Sequence, residues 1–391
     1  MFRVQTLNKI SAEGLKRFPM DHYEVASEFS SPDAILVRST KLHDMSFPST
    51  LKAIGRAGAG VNNIPLDVCT EKGIVVFNTP GANANAVKEL AIASMLVSSR
   101  NLVQGVNWAK TLIGKGEQVP KLIEAGKSNF VGPELHGKTL GVIGLGAIGM
   151  LVANAAQSLG MRVIGFDPYI SVDSAWMLSQ DVEKAISLDN LLSEADYLSL
   201  HIPLMEATKG FINEAKFDVM KKGVRIMNFA RGGLVDVQDL FAAFENGKVA
   251  SFVTDFPDEE LLKHHQVIGI PHLGASTPES ELNCAVMAVD QVKDFLENGN
   301  IRNSVNFPNT GMPRNDGYRL IIANKNVPKM VGNITTVLAD ENINITNMLN
   351  KNRGEIAYNI IDIDGEISDA LVQKIRDIAG IIMVRLLQPV E

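Results

Sequence analysis

Three short segments hold side chains that move protons and bind anions. Asn228-Phe229-Ala230-Arg231-Gly232-Gly233 places an arginine directly after an apolar run, and Pro271-His272-Leu273-Gly274 places a histidine in a similar position. Between them, Thr254-Asp255-Phe256-Pro257-Asp258-Glu259-Glu260 follows another apolar run with a set of carboxylates. A guanidinium can hold a carboxylate through two parallel hydrogen bonds and polarise a neighbouring carbonyl. An imidazole can give or take a proton near neutral pH. A carboxylate beside it favours the charged ring and so raises its pKa. Each has an ordinary alternative: a surface arginine, a capping histidine, a solvated acidic loop.

A fourth segment says what the trio would work with. The apolar run from Thr139 to Ile143 leads into Gly144-Leu145-Gly146-Ala147-Ile148-Gly149, and a helix-like stretch follows from Met150 to Leu159. A second apolar run, Arg162 to Phe166, then ends at Asp167. Strand, G-x-G-x-x-G, helix, strand, acid is the dinucleotide-binding order. Gly144 permits the tight turn, Gly146 lets backbone N–H groups approach a pyrophosphate at the helix N-terminus, and Gly149 lets helix and strand pack closely. Asp167 can accept from the ribose hydroxyls and would repel a 2′-phosphate, which predicts NAD rather than NADP. After such a site, the arginine, the carboxylate and the histidine are what hydride transfer to a 2-oxo acid requires.

The elements that must position these groups read as alternating strands and helices. Ala34–Val37, Leu51–Ile54 and Gly73–Phe77 are strand candidates in a first doubly wound α/β unit, and Val87–Val97 is a strongly apolar helix. Strands are expected at 163–166, 197–200, 224–229, 251–254 and 267–270, with helices at 237–245 and 280–297. Val305–Pro308 could return the chain to the first unit. Pro308–Gly317 is rich in turn formers and reads as a linker. Beyond it, strands at 318–323, 343–349, 355–363 and 381–387 and helices at 328–340 and 368–378 give the order βαββαβ, a ferredoxin-like arrangement in which Pro328 suits a first helical turn.

The motifs resemble those of the D-isomer-specific 2-hydroxyacid dehydrogenases. The resemblance runs through Leu135–Gly149, Asn228–Asp236 and Pro271–Thr277, and through Gly55–Ile64 and Asn78–Asn83 in the first unit. The C-terminal unit resembles an ACT domain, a module that senses small molecules. The implied fold is α/β: a Rossmann-type cofactor domain (98–286) inserted in a flavodoxin-like substrate domain (1–97 and 287–310), with a ferredoxin-like ACT domain at 317–391. The resemblance implies catalysis by Arg231, His272 and an acidic-loop glutamate. Counting from Asp255 selects Glu260 as that glutamate, with Glu259, selected by aligning on Phe256-Pro257, as the alternative. It assigns the cofactor to Thr79, Gly144, Gly146, Ala147, Ile148, Gly149, Asp167, His201, Ile202, Pro203, Ala230, Asp255, His272 and Gly274. It assigns the substrate to Arg56, Ala57, Gly58, Ala59, Gly60 and Arg231, with Arg56 facing a phosphate.

The implied reaction is oxidation of 3-phospho-D-glycerate to 3-phosphohydroxypyruvate with hydride passing to NAD, a first step towards L-serine. Reduction of glyoxylate or hydroxypyruvate, or a non-catalytic NAD(H)-sensing role, stay open. In the C-terminal unit Asn326 and Asn344 match ligand-contacting asparagines of serine-sensing relatives, but Lys329 stands where those carry glycine. L-serine as effector and a module used only for assembly are both open. A homodimer or homotetramer is expected by resemblance.

Composition narrows the rest. The 391 residues are 46% hydrophobic and 21% charged, with a net charge of −7, which argues against a nucleic-acid surface. Two cysteines far apart suggest a reducing compartment, and seven histidines show no metal-ligand spacing. Neither a signal-like start nor a membrane-length apolar run is apparent, so the expectation is a cytoplasmic protein without a metal or a membrane partner.

Overall fold

The structure, a computed structural model, describes residues 1–389. The chain divides into two compact units, one formed by Met1–Ala82 with Glu281–Glu391 and the other by Asn83–Ser280. The first cut falls earlier than position 97, because the helix Ala84–Ser99 packs Val87, Ala91 and Met95 into the second unit's core. The C-terminal segment belongs to the same compact unit as the first sheet.

In the first unit, β1 (Phe2–Leu7), β2 (Tyr23–Ala26), β3 (Ala34–Val37), β4 (Ala53–Arg56) and β5 (Val75–Phe77) form a parallel sheet in the order β2-β1-β3-β4-β5. β3 is fully buried along its length, as a strand covered on both faces must be. The order reverses between β1 and β3. Ligands of open α/β sheets bind at the carboxyl ends of the strands at such a point. The 304–305 segment returns to β5, where Val305 N donates to Val76 O at 2.9 Å and Ser304 bridges Phe77.

The second unit holds β6 (Thr139–Ile143), β7 (Arg162–Phe166), β8 (Glu183–Lys184), β9 (Tyr197–Leu200), β10 (Val224–Asn228), β11 (Val249–Thr254) and β12 (Val267–Gly269). They form one parallel sheet, β12-β11-β10-β9-β6-β7-β8. Here the order reverses between β6 and β9. The glycine turn follows β6 and His201 follows β9, so sequence motif and topology select the same place.

The C-terminal strands β13 (Tyr318–Lys325), β14 (Asn344–Arg353), β15 (Ile356–Asp364) and β16 (Ile381–Leu387) make an antiparallel sheet, β14-β15-β13-β16. With helices at Met330–Asp340 and Asp369–Arg376 the chain order is βαββαβ, as expected. One face, with Leu320, Ile322 and Ile361, packs on those helices. The other, with Ile321, Ala323, Tyr358 and Ile360, shares a core with Val292, Phe295 and Leu296 of the helix Pro278–Asn298. Both faces being covered explains why β13 reads as nearly continuous apolar sequence.

This second face is also fastened by charge. Arg319 and Asp362 form a fully buried bidentate pair at 2.6 and 3.0 Å. The remaining guanidinium donors reach Asn298 O, Met312 O and Pro313 O. The turn-rich stretch read as a linker is therefore packed, and Thr310 is buried. Pro328 lies outside its helix, which starts at Met330 after Lys329, the N-cap in a left-handed conformation at φ 73°. The position where serine-sensing relatives carry glycine thus keeps a glycine-like backbone despite bearing lysine.

Candidate active site

The glycine turn is built as its residues require. Gly144 sits at φ +89°, and its N–H donates to Phe166 O at 2.9 Å. A Cβ there would lie 2.6 Å from His201 O, so the ends of β6 and β9 meet at this glycine. A Cβ on Gly149 would lie 1.9 Å from Gly144 O, which closes the turn against the helix Ala147–Ser158. Gly146 differs: a Cβ on it meets no atom within 4 Å, so its face is open. It is the helix N-cap and supplies no side-chain acceptor, leaving the first N–H groups, including those of Ala147 and Ile148, for an anion.

Asp167 is held by the same turn. Leu145 N donates to its Oδ2 and Tyr169 N to its Oδ1, each at 2.8 Å. Its carboxylate is oriented by backbone at the end of β7 and keeps lone pairs for hydroxyl donors. An open glycine face, uncapped helix N–H groups and an oriented carboxylate fit a dinucleotide with a free 2′-hydroxyl. His201 faces Ser199, with Oγ 2.8 Å from Nε2. Burial pushes its imidazole down to about 4, so it is neutral at pH 7. Ile202 packs on the second unit's core and its Cγ2 borders Gly144, with Pro203 next in the chain.

The arginine, the acidic loop and the histidine follow β10, β11 and β12, three adjacent strands. Asn228 shapes the first loop, its Nδ2 donating to Arg231 O and its Oδ1 accepting from Ala230 N. Arg231 is exposed, with Nη1 donating to Ala230 O at 2.7 Å. His272 is exposed and packs edgewise on Phe256, ring centres 4.5 Å apart. Asp255 is 2% exposed; its Oδ2 accepts from Gly274 N at 3.2 Å and its Oδ1 has no partner among the described residues. Burial raises its pKa, opposed by the Gly274 hydrogen bond and by the charges of His272 and Arg231. That balance shows that Asp255 lies within electrostatic reach of both other groups.

The two glutamates take different places. Both start the short helix Glu259–Lys263, capped by Asp258. Glu259 points outward and pairs with Lys263 at 2.9 Å. Glu260 meets Gln238 Nε2 at 3.4 Å. Among the described residues neither forms a hydrogen bond or ion pair with His272, and the carboxylate facing that histidine electrostatically is Asp255.

In the first unit, Arg56 ends β4 and its Nε donates to Arg38 O at 3.2 Å. The loop after it has Gly58 at φ +148°, with Ala57 N donating to Val37 O and Ala59 O accepting from Asn78 Nδ2; Gly60 is the next residue. Thr79 is fully buried against this loop, its N–H donating to Gly58 O and its Oγ1 without a hydrogen-bond partner among the described residues. A cavity of about 620 Å³ opens here, lined by Arg56 with Arg38, Lys41 and His43 and by one carboxylate, Asp44, so that it is basic on balance. It lies at the carboxyl ends of β3 and β4. Asn8 Oδ1 accepts from the N–H groups of Ser39 and Thr40 at 3.0 Å and shapes its rim. Arg38 went unnoticed in the sequence although it follows an apolar run just as Arg231 does. It pairs with Glu281 at 2.7 Å.

Asn326 and Asn344 are not brought together within the chain. Asn326 binds Glu355 O and Gly354 O at one end of β15, and Asn344 binds Asp364 at the other. Those ends are separated by the length of the strand, about 26 Å at 3.3 Å per residue.

The two reversed parallel sheets and the glycine turn define a dinucleotide-binding α/β protein with polar chemistry at its strand ends. A profile for the D-isomer specific 2-hydroxyacid dehydrogenase NAD binding domain matches residues 92–274, and this part of the chain belongs to that family. Among curated proteins, a D-3-phosphoglycerate dehydrogenase of Methanocaldococcus jannaschii is 36% identical over 349 residues, covering 87% of this chain and 63% of that protein. One of Archaeoglobus fulgidus is 38% identical over 299 residues, covering 74% and 54%. The chain thus spans just over half the length of these relatives. Among solved structures, an NAD+-bound 3-phosphoglycerate dehydrogenase of Entamoeba histolytica aligns with a TM-score of 0.61 at 26% identity, covering 78% of this chain and 98% of that one. No helix of the described residues is long and apolar enough to cross a membrane.

Proposed function

We propose that the chain is an NAD-dependent dehydrogenase that oxidises 3-phospho-D-glycerate to 3-phosphohydroxypyruvate. The observation that carries the reading is the placing of Arg231, Asp255 and His272 at the ends of three adjacent strands, in the same sheet as the glycine turn. Arg231 holds the substrate carboxylate through a planar fork of donors. His272 accepts the proton of the C2 hydroxyl as the C2–H bond breaks, and returns it in the reverse direction. Asp255 stabilises the imidazolium that forms, as a buried carboxylate near a developing cation does. When bound, NAD supplies the acceptor for the C2 hydride. A phosphate preference is supported separately by the first unit's own cavity, where Arg56, Arg38 and Lys41 come together. The relatives' names support the same substrate.

Incubation with NAD+ and 3-phosphoglycerate, set against D-glycerate, D-lactate and glycolate, tests the reading through NADH absorbance. Turnover with the phosphorylated acid at a kcat/KM at least tenfold above the others is expected. Equal or better turnover of an unphosphorylated acid would move the protein to the glyoxylate or hydroxypyruvate type. No turnover at all, with NAD+ still bound, would leave a cofactor-sensing role. A cytoplasmic setting, L-serine as effector at the C-terminal unit and a homo-oligomer complete the proposal. The effector and the homo-oligomer rest on the resemblance of that unit to ACT domains, and serine titration and sedimentation check them; the cytoplasmic setting rests on the two unpaired cysteines, and cell fractionation checks it.

A further inference from the structure

The basic cavity near Arg56 lies at the carboxyl ends of the first sheet. A second and larger concavity lies at the opposite, amino-terminal ends. It is a groove of about 1180 Å³ bounded by the first residue of β1, by residues just before β2, β4 and β5, by the last turns of the helix Pro278–Asn298, and by β16. Nothing in the proposed reaction uses it.

Its charge is lopsided. Lys52, Lys72, Lys293, Arg376 and Arg385 line it, with Glu297 as the one lining carboxylate among the described residues. Lys52 is neutralised by Asp33, and Glu297 accepts from Tyr23 Oη at 2.9 Å. Among the described residues the other four cations form no ion pair. Such an excess is conspicuous in a chain whose net charge is −7.

Arg385 is the informative member. It is 9% exposed, and its guanidinium lies over the Phe295 ring at 4.7 Å. Its terminal nitrogens donate to Phe295 O and Leu296 O at 3.2 and 2.8 Å, which leaves Nε without a hydrogen bond among the described residues. The helix C-terminus offers it partial negative charge. Arg319, by contrast, is buried in the same sheet with a bidentate carboxylate and every donor used. Burying a cation without a directly paired carboxylate is costly, and burial lowers the Arg385 pKa against the opposing influence of Tyr358, Asp33 and Tyr23.

We propose that this groove binds a small polyanion bearing phosphate or carboxylate groups. Lys72, Lys293 and Arg376 contact it from the rim, and Arg385 faces it from the floor. A bound polyanion joins β16 to the starts of the first sheet's strands and to the helix Pro278–Asn298. It therefore fastens the C-terminal sheet, and its occupancy raises the chain's melting temperature through linkage.

Inorganic pyrophosphate and citrate serve as the phosphate and carboxylate probes, titrated calorimetrically into the full chain with melting followed in parallel. Arg56→Ala removes a cation from the cavity at the other end of the sheet. Lys72→Ala/Lys293→Ala removes two rim cations that lie outside the buried core. Saturable binding is expected that survives Arg56→Ala, falls at least tenfold in the double variant, and weakens as added salt shortens the screening length. Whichever probe binds more tightly identifies the headgroup chemistry. Absence of saturable binding by either probe overturns the proposal, as does binding that the double variant leaves unchanged. The unliganded melting temperature of the double variant should match that of the parent, which separates a lost ligand from a lost fold.

Discussion

Gly146→Ala separates cofactor binding from folding more cleanly than any other single change in the turn. Gly146 has φ −68° and ψ −168°, a conformation that alanine adopts without strain. Its Cβ would meet no protein atom within 4 Å. Replacing glycine by alanine at a compatible position stabilises a chain by about 0.4–1 kcal/mol through the unfolded state. That corresponds to a rise of about 1–4 °C for a unit of this size. The methyl group nevertheless stands on the face by which a pyrophosphate reaches the helix N–H groups. Displacing it forfeits one or two charge-assisted hydrogen bonds of about 1.5–3 kcal/mol each. One such loss raises the dissociation constant for NAD about 10- to 150-fold.

The assay pairs calorimetric titration of NAD+ with melting of the unliganded protein. The expected result is a weaker complex and an equal or higher melting temperature. Gly149→Ala supplies the contrast, because its Cβ would sit 1.9 Å from a backbone carbonyl that cannot rotate away. It should lower both melting temperature and affinity. A Gly146→Ala protein that melts normally and binds NAD+ within threefold of the parent would refute the cradle.

Other substitutions probe the remaining groups. Arg56→Ala should raise KM for 3-phosphoglycerate about 10- to 150-fold at nearly constant kcat, from the loss of one charge-assisted contact. An unchanged KM in Arg56→Ala would place the phosphate elsewhere. His201, held near 4 by burial against an ordinary 6.5, contributes stability that is present above pH 6.5 and lost as the pH falls towards 4. The loss amounts to about 3 kcal/mol at most, and His201→Asn should flatten the melting profile across that window. Glu260→Gln and Glu259→Gln should both leave the acid limb of the kcat/KM profile in place if Asp255 serves His272, and a limb that moves in one of them identifies that glutamate as the partner. Asp362→Asn strands a buried guanidinium and should cost about 3–5 kcal/mol, read as faster hydrogen exchange along β13 and β15, whereas Arg319→Met with Asp362→Leu should cost much less.

The second unit was readable because its chemistry is local. A glycine turn, its helix and Asp167 lie within one βαβ segment, and the runs before Arg231, Asp255 and His272 are short, apolar and bounded. β1 and β2 were missed for the opposite reason: Phe2–Leu7 mixes Arg3, Gln5 and Thr6 among its apolar residues, and Tyr23–Ala26 is a four-residue edge strand. The burial of Arg319 could not be seen, since its partner is 43 residues away on another strand. The reading of the acidic loop failed to separate Glu259 from Glu260 because a one-residue shift decides which way each side chain points from a short helix. Only the three-dimensional placing of Asp255 introduces a third carboxylate into that choice.

A chain with net charge −7 must gather two anions if it is to carry out the proposed reaction. Long-range attraction cannot do this, because charges beyond about 8 Å are screened at physiological salt. The fold meets the requirement locally, by setting positive groups where backbone geometry already points them outward. Helix N–H groups follow Gly146, Arg231 follows β10, and Arg38 and Arg56 follow β3 and β4. Each position lies at a strand's carboxyl end, and in both sheets the strand order reverses beside one of them. The carboxylates near these cations have their own partners: Asp167 is oriented by two backbone N–H groups, Asp255 is buried where His272 and Arg231 offset part of its desolvation, and Glu281 pairs with Arg38. In the first cavity Asp44 stands against four basic side chains, so the local balance there is still positive. The topology therefore accounts for where the charges sit, and this local excess of positive groups accounts for how an acidic protein can recognise acidic ligands.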